Sequence, residues 1–331
     1  MPEFAPLRPS IREGSRIAIV SPASAAQPEL AEQGRARLKA FGYRAVVMPH
    51  ALDRGPLYLA GSAADRAKDI HDAFADPSID GILCTRGGWG SAELLPLLDQ
   101  DLIRANPKAF VGYSDHTSLH IYLWNLCRLT TFYAPMVAAD WSNPDGVDER
   151  TWRAALEAEL LWSVGPSDGI RILRPARKAG SSGAPSTPIE GRILGGCLSL
   201  LTESLGTPYA FNITEPAILF LEDVNTKPYQ WHRMIHHLRL AGQLHHVCGV
   251  ILGDPASNIP TSQPLELALL EAACLHAFDQ DPTEFSGPIA IGLHCGHVQQ
   301  QNRSIPLGAW VRWSNDTIRE IPERKTIEIA P

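Results

Sequence analysis

Short apolar runs alternate with helically spaced apolar positions through the first half of the chain. Ile17, Ala18, Ile19 and Val20 form one uninterrupted run, ended by Ser21 and Pro22, which marks a strand buried on both faces. Leu30, Gly34, Leu38 and Phe41 then recur at helical spacing, with Gly42 placed to end that helix. Ala45, Val46, Val47 and Met48 make the next strand, stopped by Pro49. Ser62 is positioned to cap a helix carrying Ala67, Ile70, Ala73 and Phe74, with Asp65 in capping-box position. Two more apolar runs follow, Gly81-Ile82-Leu83-Cys84 and Ala109-Phe110-Val111-Gly112. Strands separated by helices of this length predict right-handed βαβ units around a parallel sheet, a Rossmann-like α/β domain.

The texture changes between residues 165 and 188, where 178–188 is dominated by Gly, Ser and Pro. This sets an expected N-terminal domain over 1–165, a linker over 166–188 and a C-terminal domain over 189–331. The second half carries further strand-like runs, Ile218-Leu219-Phe220-Leu221, Cys248-Gly249-Val250-Ile251-Leu252 and Ile289-Ala290-Ile291, with helical patterns at 231–240 and 265–278. Ala309-Trp310-Val311-Arg312-Trp313 near the end reads as antiparallel strand. A mixed α/β domain with some antiparallel strands is predicted.

Length agrees, since 331 residues at roughly 150 per domain gives about two. With 44% hydrophobic and 20% charged residues, disorder is excluded. A net charge of −7 argues against nucleic-acid or anionic-membrane partners, which need a basic excess. The six cysteines form no C-x-x-C pair and read as free thiols of a reducing compartment. Residues 1–15 lack a signal-peptide apolar core, and no stretch approaches 18 apolar residues. A cytoplasmic location is the expectation.

Chemistry is sought at the carboxyl ends of the parallel strands. Arg86-Gly87-Gly88-Trp89-Gly90-Ser91 is a turn whose glycines let backbone N–H groups approach a ligand, or an ordinary βα turn. Gly112-Tyr113-Ser114-Asp115-His116 has the layout of a nucleophile elbow, although His116 stands where G-x-S-x-G has its second glycine. Ser114 or Asp115 could equally be an N-cap. Among twelve histidines, His116 and His120 lie at i, i+4 and could bind a metal, but without H-E-x-x-H they read as a solvated helix face. His294 and His297, glycine-flanked after a strand, suit a general base. Glu222 and Asp223 end the apolar run at 218–221, where a buried acid needs a partner.

In this order, these blocks resemble the LD-carboxypeptidase family, which includes the muramoyltetrapeptide carboxypeptidases and the microcin C self-immunity proteins. The resemblance runs from about Gly14 to about Trp313. It rests on Ser21-Pro22-Ala23-Ser24, Arg86-Gly87-Gly88-Trp89-Gly90, Gly112-Tyr113-Ser114-Asp115, Gly191-Arg192-Ile193-Leu194-Gly195-Gly196, Leu219-Phe220-Leu221-Glu222-Asp223, and Gly296-His297 followed by Pro306-Leu307-Gly308. It implies Ser114 as nucleophile, His297 as base and Glu222 as its orienter, with Asp115 and the Gly87–Gly88 turn donating N–H groups to the oxyanion. It further implies a homodimer, a site between the two domains, and no metal or organic cofactor. The substrate it implies is a muropeptide or short peptide, with release of a terminal D-amino acid such as D-Ala in peptidoglycan recycling.

The chain departs from the family at Cys197, where asparagine is common, and at Trp89, where tyrosine is usual. It also departs at Leu293-His294-Cys295, which makes His294 a rival base and brings Cys295 near the pocket. Asp223 is read either as a contact for a substrate ammonium or as a solvated acid or cap. The alternative within the family is hydrolysis of a peptidyl-nucleotide or acyl-sulfamoyl adenylate. That requires an aromatic platform from Trp141, Trp152 or Trp162, each of which reads more simply as core. A dinucleotide-binding oxidoreductase would need glycines that 21–26 lack. A periplasmic-type binding protein has no use for serine, acid and histidine at strand ends.

Overall fold

A computed structural model describes residues 5–157, 161–177, 188–281 and 285–322. Its first half supplies β1 (Arg16–Val20), β2 (Arg44–Val47), β3 (Gly81–Cys84), β4 (Ala109–Gly112) and β5 (Thr131–Tyr133). Then come β6 (Ser163–Val164), β7 (Arg171–Arg174), β8 (Ile189–Cys197), β9 (Ala217–Glu222), β10 (Val247–Gly253), β11 (Ile289–Leu293), β12 (Ile305–Leu307), β13 (Trp310–Ser314) and β14 (Thr317–Glu320). Two sheets result. One is six-stranded in the order β12-β5-β4-β3-β1-β2, and the other is eight-stranded in the order β6-β14-β13-β8-β9-β10-β11-β7.

The expected α/β arrangement is what forms. β1 to β5 pair in parallel with helices between them, and β8 to β11 are parallel with antiparallel strands at both flanks. The uninterrupted apolar runs of β3 and β4 are buried at every position, as a sheet covered on both faces requires. Ser62 Oγ accepts the Asp65 N–H at 3.1 Å and starts the helix Ala63–Ala75. Within the segment expected to connect the halves, β7 pairs antiparallel with β11. Residues 178–187 of its Gly/Ser/Pro run lie outside the described residues.

Two exchanges tie the sheets together. β12, from the end of the chain, pairs with β5 and completes the first sheet, while β6 joins β14 in the second. The period-two alternation of β9 does the rest. Ile218 and Phe220 join the hydrophobic core that contains β1, β3 and β4, whereas Leu219 and Leu221 face the helices Pro228–Leu240 and Pro264–Asp279. Trp141, Trp152 and Trp162 are wholly buried, Trp141 edge-on to Trp152 at 4.8 Å, so none of them presents a ring face to a ligand. All six cysteines are free thiols.

Candidate active site

The carboxyl ends of β3, β4 and β5 meet those of β8, β9 and β11 where the sheets adjoin. β4 ends at Gly112, where a Cβ would lie 2.8 Å from the His116 ring and 3.2 Å from Cys84 Sγ, so only glycine lets the chain turn here. Two residues on, Ser114 holds φ +64° and the helix Thr117–Cys127 follows through a single 3₁₀ turn. A non-glycine residue in this left-handed region costs on the order of 1–3 kcal/mol, offset by the surrounding packing. The turn throws the Ser114 side chain clear of the sheet.

His297 Nε2 lies 2.9 Å from Ser114 Oγ, and its Nδ1 lies 2.9 and 3.1 Å from the two oxygens of Glu222. The His297 N–H also donates to Glu222 Oε2 at 3.0 Å. Gly296, at φ +92°, permits this approach, since a Cβ there would come within 2.5 Å of the carboxylate carbon. Burial alone would raise the Glu222 pKa. The His297 charge, the hydrogen bonds from His297 and the Tyr133 hydroxyl outweigh it and hold the carboxyl below its usual range. Burial likewise disfavours charge on His297, but Glu222, with Asp223 and Asp140 farther off, raises its pKa above the ordinary histidine value.

The glycine turn passes against the serine. A Cβ on Gly87 would sit 2.8 Å from Ser114 Cβ, 2.9 Å from Ser114 Oγ and 3.4 Å from the Asp115 nitrogen. Gly88, at φ +116°, faces Ser24 instead. The Gly87 backbone and the Asp115 nitrogen therefore both lie against Ser114, where an oxyanion would need its donors. Arg66, fully buried, clamps the turn from behind by donating to the carbonyls of Pro22 (2.6 Å) and Gly90 (2.9 Å).

Other expectations divide. His294 is half-buried against Gly169, its backbone N–H bonded to the Asp168 carbonyl, and is not among the groups gathered at Ser114. Asp223 is no solvated acid: it is buried, and its two oxygens accept the N–H groups of Ser199 and Val224, the first capping the helix Leu198–Glu203. Cys197 pairs in register with Glu222 and donates its N–H to Thr117 Oγ1 at 3.0 Å, while Cys295 Sγ lies 3.6 Å from the Tyr133 carbonyl. Burial pushes both thiols up. Trp89 is exposed beside the glycine turn, edge-on to Tyr58 at 6.5 Å.

The solvated-face reading of His116 and His120 is overturned, because both are buried. His116 bridges Ser91 Oγ (2.9 Å) and the Arg86 carbonyl (2.9 Å), and His120 bridges Thr131 Oγ1 (2.7 Å) and the Gly112 carbonyl (2.9 Å). Burial pushes their pKa values down to about 4 and about 3, so both are neutral struts of the elbow.

Two contributors escaped the sequence reading. Tyr133, the last residue of β5, donates from its hydroxyl to Glu222 Oε1 at 2.5 Å and accepts the Ser114 N–H at 3.0 Å. Its only mark in the sequence is a polar ring ending an apolar strand. Asn302, fully buried, accepts the Gly296 N–H at 2.9 Å and donates to the Gly296 carbonyl and to Asp140, each at 3.0 Å. No local pattern announces it, because its partners lie in loops.

Serine, imidazole and carboxylate in hydrogen-bonding line, beside a glycine turn where the parallel strands of the two sheets end, can perform acyl transfer to water, and the class so defined is a hydrolase. The chain belongs to the LD-carboxypeptidase family, whose N-terminal domain matches residues 17–134 and whose C-terminal domain matches residues 190–313. The "Probable murein peptide carboxypeptidase" of Bacillus subtilis is 30% identical over 301 residues, 91% of this chain and 89% of that protein. The microcin C7 self-immunity protein MccF of Escherichia coli is 30% identical over 213 residues, 59% of this chain and 62% of MccF. The crystal structure of an MccF-like protein from Bacillus anthracis, 23% identical, superposes with a TM-score of 0.80 over 96% of this chain and all of that one, a likeness of fold. No helix among the described residues is long and apolar enough to cross a membrane.

Proposed function

We propose that this chain is a serine-type LD-carboxypeptidase that releases a terminal D-amino acid, D-Ala first among them, from cytoplasmic muropeptide tetrapeptides in peptidoglycan recycling. The observation that carries the reading is the line from Ser114 Oγ through His297 to Glu222, 2.9 Å at each step. His297 takes the Ser114 proton as Oγ attacks the scissile carbonyl, while Glu222 holds the imidazole tautomer and stabilises the imidazolium. N–H groups of Asp115 and of the Gly87–Gly88 turn stabilise the tetrahedral oxyanion. His297 then protonates the departing D-amino acid, and water attacks the ester on Ser114 by the same route in reverse.

In this reading Ser114 comes from one domain, 1–165, and Glu222 with His297 from the other, 189–331. The test is turnover of a tetrapeptide ending in D-Ala against its L-Ala epimer, with Ser114→Ala as control. Selective release of D-Ala, lost by roughly 10⁴-fold or more in the variant, is expected. Equal rates on both epimers would refute the stereochemistry, and an active variant would refute the serine.

The likeness to MccF supports a second reading, hydrolysis of an acyl-sulfamoyl adenylate at the same serine. A base platform would then have to come from outside Trp141, Trp152 and Trp162, which are sealed in the core. Assaying such an adenylate beside the tetrapeptide separates the two.

A further inference from the structure

A buried tyrosine usually finds one partner for its hydroxyl. Tyr133 finds two, and both belong to the candidate site: Glu222 Oε1 as acceptor at 2.5 Å and the Ser114 N–H as donor at 3.0 Å. Its ring is locked between Phe220 at 5.5 Å, His120 at 5.7 Å and Tyr113 at 6.0 Å, so the hydroxyl has little freedom to point elsewhere. Phenylalanine would fill the same space with no polar group to satisfy. We propose that Tyr133 is a positioning residue of the site, whose hydroxyl holds the Glu222 carboxylate and the strained Ser114 backbone in one frame and sets how strongly Glu222 acts on His297.

Two consequences follow from the geometry. The Ser114 N–H is engaged by Tyr133, which leaves oxyanion donation to Asp115 and the glycine turn. The hydroxyl also draws part of the Glu222 charge away from His297, since a carboxylate that donates charge into one short hydrogen bond is a weaker partner for another. The remaining titratable groups around the pair are Tyr113, edge-on to His297 at 5.3 Å, Asp140, Asp223, Cys197 and Cys295. None of them bonds to Glu222 in the Tyr133 position. Burial, with the neighbouring Glu222 charge, pushes the Tyr133 phenol well up, so it stays a donor throughout the working range.

The inference rests on the serine-hydrolase reading, and its test separates the two. In Tyr133→Phe the full Glu222 charge falls on His297, so the acidic limb of kcat/KM moves to higher pH. Losing the hydrogen bond to the Glu222 carboxylate, together with release of the Ser114 backbone, lowers kcat by about 10- to 100-fold, the range for a lost hydrogen bond to a charged group, with KM within twofold. Labelling of Ser114 by a fluorophosphonate, followed against pH, reads the same limb without any peptide. A wild type that fails to label sinks the serine reading. A labelled wild type whose Tyr133→Phe variant reacts at the same rate, or more slowly with an unmoved limb, overturns this proposal alone. Should that variant not fold by circular dichroism, 3-fluorotyrosine incorporated at 133 keeps ring and hydroxyl and strengthens donation, so the limb must move to lower pH; an unmoved limb again overturns the proposal.

Discussion

Gly87→Ala perturbs the candidate site by one methyl group. Gly87 does not occupy the left-handed region, so alanine costs nothing in backbone conformation. What it meets is Ser114: the new Cβ would stand 2.8 Å from Ser114 Cβ and 2.9 Å from Oγ. Carbon atoms in contact prefer about 3.5 Å or more, so the turn and the elbow must separate by about 0.7 Å. The elbow cannot give way easily, because Tyr133 holds the Ser114 N–H, and the turn is held as well, by His116 at Arg86 and Ser91 and by Arg66 at Gly90. Whichever side yields, the turn and Ser114 Oγ lose their mutual placement. Misplacement by about 1 Å costs on the order of 10²-fold in rate, and losing one oxyanion donor costs 10²–10³-fold. A fall in kcat of roughly 10²-fold is expected, with little change in KM and a melting temperature within a few degrees of wild type. The assay is steady-state release of D-Ala from the tetrapeptide, paired with thermal unfolding. A kcat within threefold of wild type in a folded variant would refute the placement of the oxyanion donors in this turn.

Glu222→Gln should lower kcat by about 10³- to 10⁴-fold, because the amide no longer fixes the imidazole tautomer or stabilises its cation. The sign of its pH effect is opposite to that of Tyr133→Phe. Glu222 raises the His297 pKa, and the base must be neutral, so removing the charge moves the acidic limb to lower pH; an unchanged limb in the residual activity would contradict the pairing. The same pair links stability to pH. The His297 contribution is present below its unfolded pKa and is lost as pH rises through the raised folded value, whereas the Glu222 contribution is lost as pH falls through its lowered one. Asn302→Ala strips three hydrogen bonds from the loop that carries His297 and should destabilise by about 2–3 kcal/mol, read from urea unfolding. A loss below about 0.5 kcal/mol would mean that the loop holds itself.

Four strands of the first sheet, β1 to β4, were legible because their signal is local. Runs such as 17–20 and 81–84 are buried on both faces and carry no alternation to misread. The elbow showed in the sequence for a similar reason, as strand, glycine and serine are contiguous. His116 and His120 misled because polarity at helical spacing ordinarily means a wet face. Here the helix Thr117–Cys127 is covered all round, and each imidazole is matched inside to a hydroxyl and a carbonyl. Nothing in the neighbourhood of either residue encodes those partners, which come from 86–91, 112 and 131. Asn302 and Tyr133 were missed on the same ground: they act across 6 to 162 positions of sequence, and the sequence has no grammar for that.

Glu222 is the case where a local rule settles a distant contact. β9 alternates, so residue 222 shares a face with Ile218 and Phe220, and that face looks into the core of the first sheet. Phe220 packs on the Tyr133 ring, and Glu222, one pleat further, reaches the hydroxyl of the same side chain. A one-residue insertion between 217 and 222 would turn the carboxylate toward the helices Pro228–Leu240 and Pro264–Asp279, and Leu221 into the site. The placement of this acid against His297 is thus a property of strand register, held by six consecutive pairings of β9 with β8 from Arg192↔Ala217 to Cys197↔Glu222. Cys197 closes that ladder directly beside the carboxylate. A larger or charged residue there would act on Glu222 through the shared register before touching any substrate.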